Sequence, residues 1–285
     1  MAQTATGAKA SPAQTGGGIG SYATLLIIVG SIFVGILFYS FVLGSSSNFH
    51  PAGCDPSSND CHPVEGGIGQ VFGLMYKGGV VVPLALGLLL MLLVFSVERF
   101  LALRIAAGTD EGGVFVQKVL TLLNAGQIDA AIAACDKQKG SVGNVTKEVL
   151  LKYKQMEHEP GMDKEQKMVA IQKTLEESVA LEVPVLQKNM VVIATLVSLG
   201  TLVGLIGTVL GMIKAFSALG GGGGAPDAAA LAVGISEALI NTVVGITTST
   251  IATVSYNGYS ASIEALMHRM DEAGFSIVQT YSEKH

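Results

Sequence analysis

A single carboxylate stands inside a long apolar run. Between residues 228 and 263 the only charged side chain is Glu237. With successive residues placed about 100° apart around a helix, Glu237, Asn241, Thr242, Gly245, Thr248, Ser249, Ala252, Thr253 and Ser255 fall within an arc of about 160°. The opposite arc holds Leu239, Ile240, Val243, Val244, Ile246, Ile251 and Val254, interrupted only by Thr247 and Thr250. A carboxylate at membrane depth is costly when ionised and faces a bundle interior or a wet pathway. Serine and threonine hydroxyls both donate and accept, so a row of them holds water without a fixed charge that would trap a cation. Such a lining suits protons or a sliding polar partner. Two plainer readings stand beside it: Glu237 as an interfacial residue near the outer helix end, and hydroxyls bonded back to their own helix.

A second run, 189–213, carries Thr201 and Thr208 seven apart and so on one face. Gly200-x-x-x-Gly204 and Gly207-x-x-x-Gly211 lie beside them, and with Gly245 they are small residues that let another helix approach closely.

These residues need membrane helices to position them. Hydrophobic residues make up 49% of the 285-residue chain, charged residues 14%, and Trp is absent. That balance excludes an ordinary soluble domain. Crossing a hydrocarbon core takes about 20 helical residues, and four stretches qualify: 21–44, 78–97, 189–214 and 231–255. They lack the alternation of barrel strands, so the expected fold class is an all-α polytopic bundle. Twelve of the 17 Lys and Arg lie between Arg99 and Lys188. Positive charge is retained in the cytoplasm, which predicts both termini inside. Lys77 and Lys214 then sit at outer helix ends, where they can snorkel. Glu98, Arg99 and Arg104 follow the second span as interfacial anchoring charges.

The remaining organisation follows. Residues 1–20 are a flexible cytoplasmic tail and 45–77 a periplasmic loop. Residues 98–188 are a cytoplasmic helical domain, 215–230 a glycine-rich outer turn, and 256–285 a cytoplasmic helix and tail. Helix stops are expected at Asn124-Ala125-Gly126, Gly140 and Pro160-Gly161. Asp163 with Gln166 resembles a capping box opening a helix that continues, with a kink at Pro184, into the third span. That predicts a rod of roughly fifty residues, about 75 Å long. Cys54 and Cys61 in the outer loop are candidates for a disulfide, with a metal site sharing His50 and His62, or two free thiols, as alternatives. Cys135 among alanines reads as a small core residue. The run Gly220 to Gly224 lacks the flanking residues of a phosphate loop. No catalytic triad or cofactor motif is evident, so neither an enzyme, a metal centre nor a nucleic-acid partner is expected.

The motifs LVGLIGTVLGMIKAF from Leu202 to Phe216 and GISEALINTVVGI from Gly234 to Ile246, supported by VERFLAL from Val97 to Leu103, resemble the MotA/TolQ/ExbB proton-channel family, and ExbB in particular. The resemblance covers about residues 78–260. It implies a homopentameric ring in the bacterial inner membrane, with the last two spans of each subunit around a central pore. A dimer of an ExbD-like single-span protein would thread that pore and carry the proton-accepting aspartate. A TonB-like protein would deliver the motion, protons being the coupling ion. By position in the motifs Thr208, Glu237 and Thr242 take the pore-lining roles, joined by Asn241, Thr201, Thr248 and Ser249 from the polar arcs. ExbB subunits have three spans, so the span at 21–44 is a departure. It leaves TolQ-like envelope work and gliding or flagellar stators as alternatives. Readings from other classes are a secondary transporter binding solute at Glu237, weakened by the absence of inverted repeats, and a membrane scaffold.

Overall fold

The computed structural model describes residues 19–50, 55, 62–64, 66–109, 112–220 and 228–284. The tail before Ile19, the glycine run after Gly220, Cys54 and Cys61 lie outside the described residues. Nine α-helices account for most of the described chain: α1 (Ile19–Phe38), α2 (Gly67–Lys77), α3 (Val81–Ala107), α4 (Gly112–Asn124), α5 (Ile128–Gln138), α6 (Gly140–Glu157), α7 (Lys164–Leu186), α8 (Met190–Gly220) and α9 (Ala228–Lys284). Four helices are long and apolar enough to cross a membrane, within Thr24–Leu43, Val81–Ala107, Met190–Ser217 and Ala230–Lys284. The chain divides into two compact units. One comprises the described residues up to Met91 together with Ile206–Asn241, and the other Leu92–Leu205 with Thr242 onward.

In the first unit α1 meets the start of α3 backbone to backbone. A Cβ at Gly35 would fall 2.7 Å from the amide nitrogen of Gly87, so only a glycine pair allows the approach. After α1 the chain tightens into a π-helical turn, Tyr39–Leu43, and a short 3-10 turn, Ser46–Asn48. Asn48 donates from Nδ2 to the carbonyls of Val42 (2.7 Å) and Leu43 (3.1 Å), satisfying acceptors that the helix end leaves open. Two short strands, β1 (Phe49–His50) and β2 (His62–Pro63), pair antiparallel, and α2 follows. The segment expected as a plain loop therefore folds into a small cap. Its core is Leu43, Val82 and Leu86 beneath Tyr39, Phe72 and Tyr76. Tyr39 stacks on Tyr76 with ring centroids 4.8 Å apart and donates its hydroxyl to the Tyr76 carbonyl.

The second unit holds the helical bundle. Amphipathic α4 to α7 and the last turns of α9 bury one apolar core containing Phe115, Leu123, Leu150, Tyr153, Ile171, Met270, Ile277 and Tyr281. Tyr153 and Tyr281 meet edge to face at 4.9 Å, the arrangement that aromatic quadrupoles favour. Lys284 donates to the Leu123 and Asn124 carbonyls and so closes the C-terminus of α4. Gly126 and Gly140 carry φ of 75° and 71° at helix ends, and Asp163 accepts from the Gln166 amide at 2.8 Å, as the stop and capping signals predict.

The expected rod from Asp163 through the third span is broken. Pro184 is accommodated inside α7, and the break comes after Leu186, where Asn189 adopts φ 60° before α8 begins. A single proline removes one hydrogen bond, whereas a left-handed residue ends the regular right-handed helix. The long uninterrupted element is instead α9, which runs 57 residues with no stop where the fourth span was expected to end. Its interior holds Gly234, Gly245, Gly258 and Gly274 but no proline, and isolated glycines are too weak as breakers to end a packed helix.

Candidate membrane-embedded polar site

In the first unit α8 and α9 run antiparallel at close range. Gly207 faces Asn241, Gly211 faces Ala238, and Gly234 faces Ala215. A Cβ on Gly207 would fall 2.3 Å from the Asn241 Cβ, and one on Gly211 would fall 2.8 Å from that of Ala238. Small residues set this spacing, and it places Glu237 beside the last turns of α8.

Glu237 is 7% exposed. Lys214 grips it with Nζ 2.7 Å from Oε1 and 2.9 Å from Oε2. The carboxylate is thus neutralised within the chain, while the lysine side chain remains 58% exposed. Gly79, at φ +81°, supplies the third wall. A Cβ there would sit 1.7 Å from Glu237 Oε1, so the position demands glycine both for its backbone and for space. One helical turn further on, buried Asn241 donates from Nδ2 to the carbonyls of Gly78 (2.8 Å) and Glu237 (3.0 Å). Those two bonds fix the orientation of the amide. Its Oδ1 is left buried with no hydrogen-bond partner among the described residues.

Thr208 is half-buried and lines a shallow apolar hollow with Val209, Met212 and Phe216. In the second unit Gly200 and Gly204 pack against Gly245, with a hypothetical Gly245 Cβ 2.6 Å from the Gly200 carbonyl oxygen. Ser249 donates to the Val197 carbonyl at 2.6 Å, across the two helices. Thr248 is buried and bonds back to Val244 at 2.9 Å. Thr242 is half-buried and Thr201 exposed.

The structure therefore gathers Glu237, Asn241, Gly207 and Gly211 into one cluster, and Gly200, Gly204, Gly245 and Ser249 into another. Much of the polar arc of α9 packs inward against α8, and Leu239, Val243, Ile246 and Val254 are exposed. Lys214 is the residue that sequence reasoning assigned only to snorkelling. The usable signal was its depth, close to that of Glu237 on the neighbouring antiparallel helix.

A second charged cluster lies at the α7–α8 break. Arg99, 3% exposed, donates from Nε to Glu98 Oε2 at 2.7 Å and from Nη1 to the Leu186 carbonyl at 3.3 Å. Asn189 Nδ2 reaches the same Glu98 oxygen at 3.2 Å. These residues, expected as interfacial anchors, hold the left-handed turn and satisfy the last carbonyl of α7. Among the described residues, no group of three or more His, Cys, Asp or Glu is placed to hold a metal ion.

Residues 143–272 match the model of the MotA/TolQ/ExbB proton channel family. The chain is 32% identical over 117 residues to the Tol-Pal system protein TolQ of Pseudomonas aeruginosa, covering 41% of this chain and 50% of that protein. It is 37% identical over 73 residues to the putative biopolymer transport protein ExbB-like 3 of Synechocystis, covering 25% of this chain and 35% of that protein. A further Synechocystis protein, ExbB-like 1, is 48% identical over 54 residues, covering 18% and 21%. The chain thus spans half the length of the TolQ relative and less of the other two. Both polar clusters of α8 and α9 lie inside the matched segment, so the chain is a multi-pass membrane protein whose residues 143–272 are similar to the MotA/TolQ/ExbB proton channel family.

Proposed function

We propose that this chain is the ring-forming subunit of an inner-membrane motor that couples proton entry to mechanical work. Five copies surround the pore, a single-span ExbD-like protein carries the proton-accepting aspartate within it, and a TonB-like protein receives the motion. The observation that carries this reading is the polar cluster inside the family-matched segment. A carboxylate neutralised by Lys214 and a buried amide with a spare acceptor create polarity without a net charge that would hold a cation. Thr208, Thr242 and Thr201, which are not sealed inside the chain, are the lining candidates, and Glu237 with Asn241 is the anchor that fixes α9 beside them. The distribution of Lys and Arg supports cytoplasmic termini.

The test is energised, receptor-dependent uptake in cells carrying Thr208→Val or Glu237→Gln, with membrane level and ring assembly measured in the same samples. Loss of uptake with assembly intact is the expected result. Full activity in both variants removes these side chains from the working pathway. A TolQ-like role is the second reading, favoured by the match over 117 residues to a Tol-Pal protein. Rescue of outer-membrane integrity in a strain lacking its own TolQ, without rescue of nutrient uptake, selects it.

A further inference from the structure

We propose that the second unit binds the phosphate headgroup of an anionic phospholipid in a cavity between α3 and α9. The cavity has a volume of about 600 Å³, which accommodates a headgroup and the first methylenes of its tails. Arg104 from α3 and Arg269 from α9 both line it, with Phe100, Tyr259 and Leu266 as apolar walls. No acidic side chain lines it, and among the described residues neither arginine forms an ion pair. Two like charges on one concave wall repel each other unless an anion joins them.

The arginines are also presented for that anion. The Arg104 guanidinium carbon stands 4.7 Å over the Phe100 ring centroid, so the ring holds one face of the fork. The in-plane N–H groups stay available for the paired bonds that a phosphate accepts. Depth agrees. Tyr259 donates to the Ser96 carbonyl at 2.8 Å, which sets α3 and α9 in register at the end of the apolar stretch of α3. Arg104 lies eight residues beyond Ser96 and Arg269 ten beyond Tyr259, about 12 and 15 Å along their helices. The headgroup zone occupies about 5–8 Å beyond the hydrocarbon, and long arginine side chains reach back toward it. Basic pockets between membrane helices on the cytoplasmic side take such headgroups. The lipid assignment rests on the orientation proposed above.

The experiment uses the full purified chain in neutral detergent and follows thermal unfolding as phosphatidylglycerol, phosphatidylcholine, glycerol phosphate or inorganic phosphate is added. Phosphatidylglycerol is expected to raise the melting temperature saturably, with the zwitterionic lipid and the soluble phosphates at least tenfold weaker. The Arg104→Gln/Arg269→Gln variant should lose that response, and Lys173→Gln, an exposed basic site elsewhere, should keep it. Gly258→Leu supplies a variant that leaves both charges in place. A Cβ at Gly258, a residue lining the cavity, meets nothing within 4 Å, so the larger side chain fills the space and should also abolish the response. Equal stabilisation by both lipids, or an unchanged response in both site variants, overturns the site. Equal stabilisation by soluble phosphate overturns the lipid source. A green fluorescent protein fused after His285 tests orientation separately. Absence of fluorescence despite normal insertion would sink the cytoplasmic placement while leaving the binding result readable.

Discussion

Removing Lys214 should harm the protein more than removing Glu237, although the two form one ion pair. The asymmetry follows from burial. Glu237 keeps 9% of its side-chain exposure and Lys214 58%. Lys214→Met strands a carboxylate against Gly79; since Lys214 is itself 58% exposed, the cost is below the full buried-pair value, about 2–3 kcal/mol. Glu237→Gln keeps the shape of the side chain and leaves a lysine that can turn to water or headgroups. Its loss is nearer that of an exposed pair, about 1 kcal/mol or less. In the double variant Lys214→Met/Glu237→Gln no charge is left stranded, so its stability should return to within about 1 kcal/mol of the parent, a coupling of about 2–3 kcal/mol. Unfolding of the purified chain by sodium dodecyl sulfate in mixed micelles, followed by circular dichroism, ranks all four proteins. Equal losses in the two single variants, or a double variant as weak as Lys214→Met, would refute the reasoning and place the pair in an environment far wetter than the structure implies.

Gly79→Ala should cost about 2 kcal/mol or more, because a side chain at φ +81° is strained and its Cβ occupies the place of Glu237 Oε1. The same unfolding assay reads it. Glu98→Ala leaves Arg99 buried without its carboxylate. Since Glu98 itself is 37% exposed, the expected loss is about 2 kcal/mol rather than the full buried-pair value, visible as earlier proteolysis near residue 188. Alkaline pH should loosen the helical bundle. Burial pushes the Cys135 thiol from 9.0 up to about 12 and the Tyr153 phenol from 10.0 up to about 12. The unfolded chain therefore releases these protons first. The stabilisation is whole below pH 9 and drains away between pH 9 and 12. Thermal melts of parent and Cys135→Ser across that window should converge as pH rises, and parallel curves would count against the assignment. Gly245→Val should separate the α8 and α9 backbones, because its Cβ would sit 2.6 Å from the Gly200 carbonyl oxygen. A loss of at least 2 kcal/mol is expected, and a silent substitution would overturn the close-packing account.

The spans were legible because a membrane helix must be apolar for about 20 residues whatever else it does. Helix ends at Gly126 and Gly140 were legible because glycine is the residue that accepts positive φ most cheaply. The break at Asn189 was not. Pro184 drew attention five residues too early, and the asparagine that makes the turn looks like any polar residue at a membrane edge. Its conformation depends on Glu98 and Arg99, roughly ninety positions away, and no local pattern carries that. The outer cap was hidden for a similar reason. Two-residue strands and a π-helical turn have no periodicity to detect, and their stability comes from Tyr39, Phe49 and Tyr76 meeting in three dimensions. Glu237 was visible as a lone carboxylate. Its partner was masked because a lysine near a helix end has an ordinary explanation.

The hydroxyls of α9 teach a further point about reading polarity from a helical wheel. Thr248, Thr250 and Thr253 each donate to the carbonyl four residues earlier, at 2.9 Å, so their valence is largely spent inside their own helix. A helix rich in threonine is therefore less polar to its surroundings than its composition suggests. Asn241 differs. Its two donor bonds are committed to Gly78 and Glu237, while among the described residues the buried Oδ1 has no donor, and leaving it unpaired costs about 1–3 kcal/mol. A polar atom held at that cost, one turn from a neutralised carboxylate, is stronger evidence for a donor arriving from outside the chain than any count of hydroxyls along the helix.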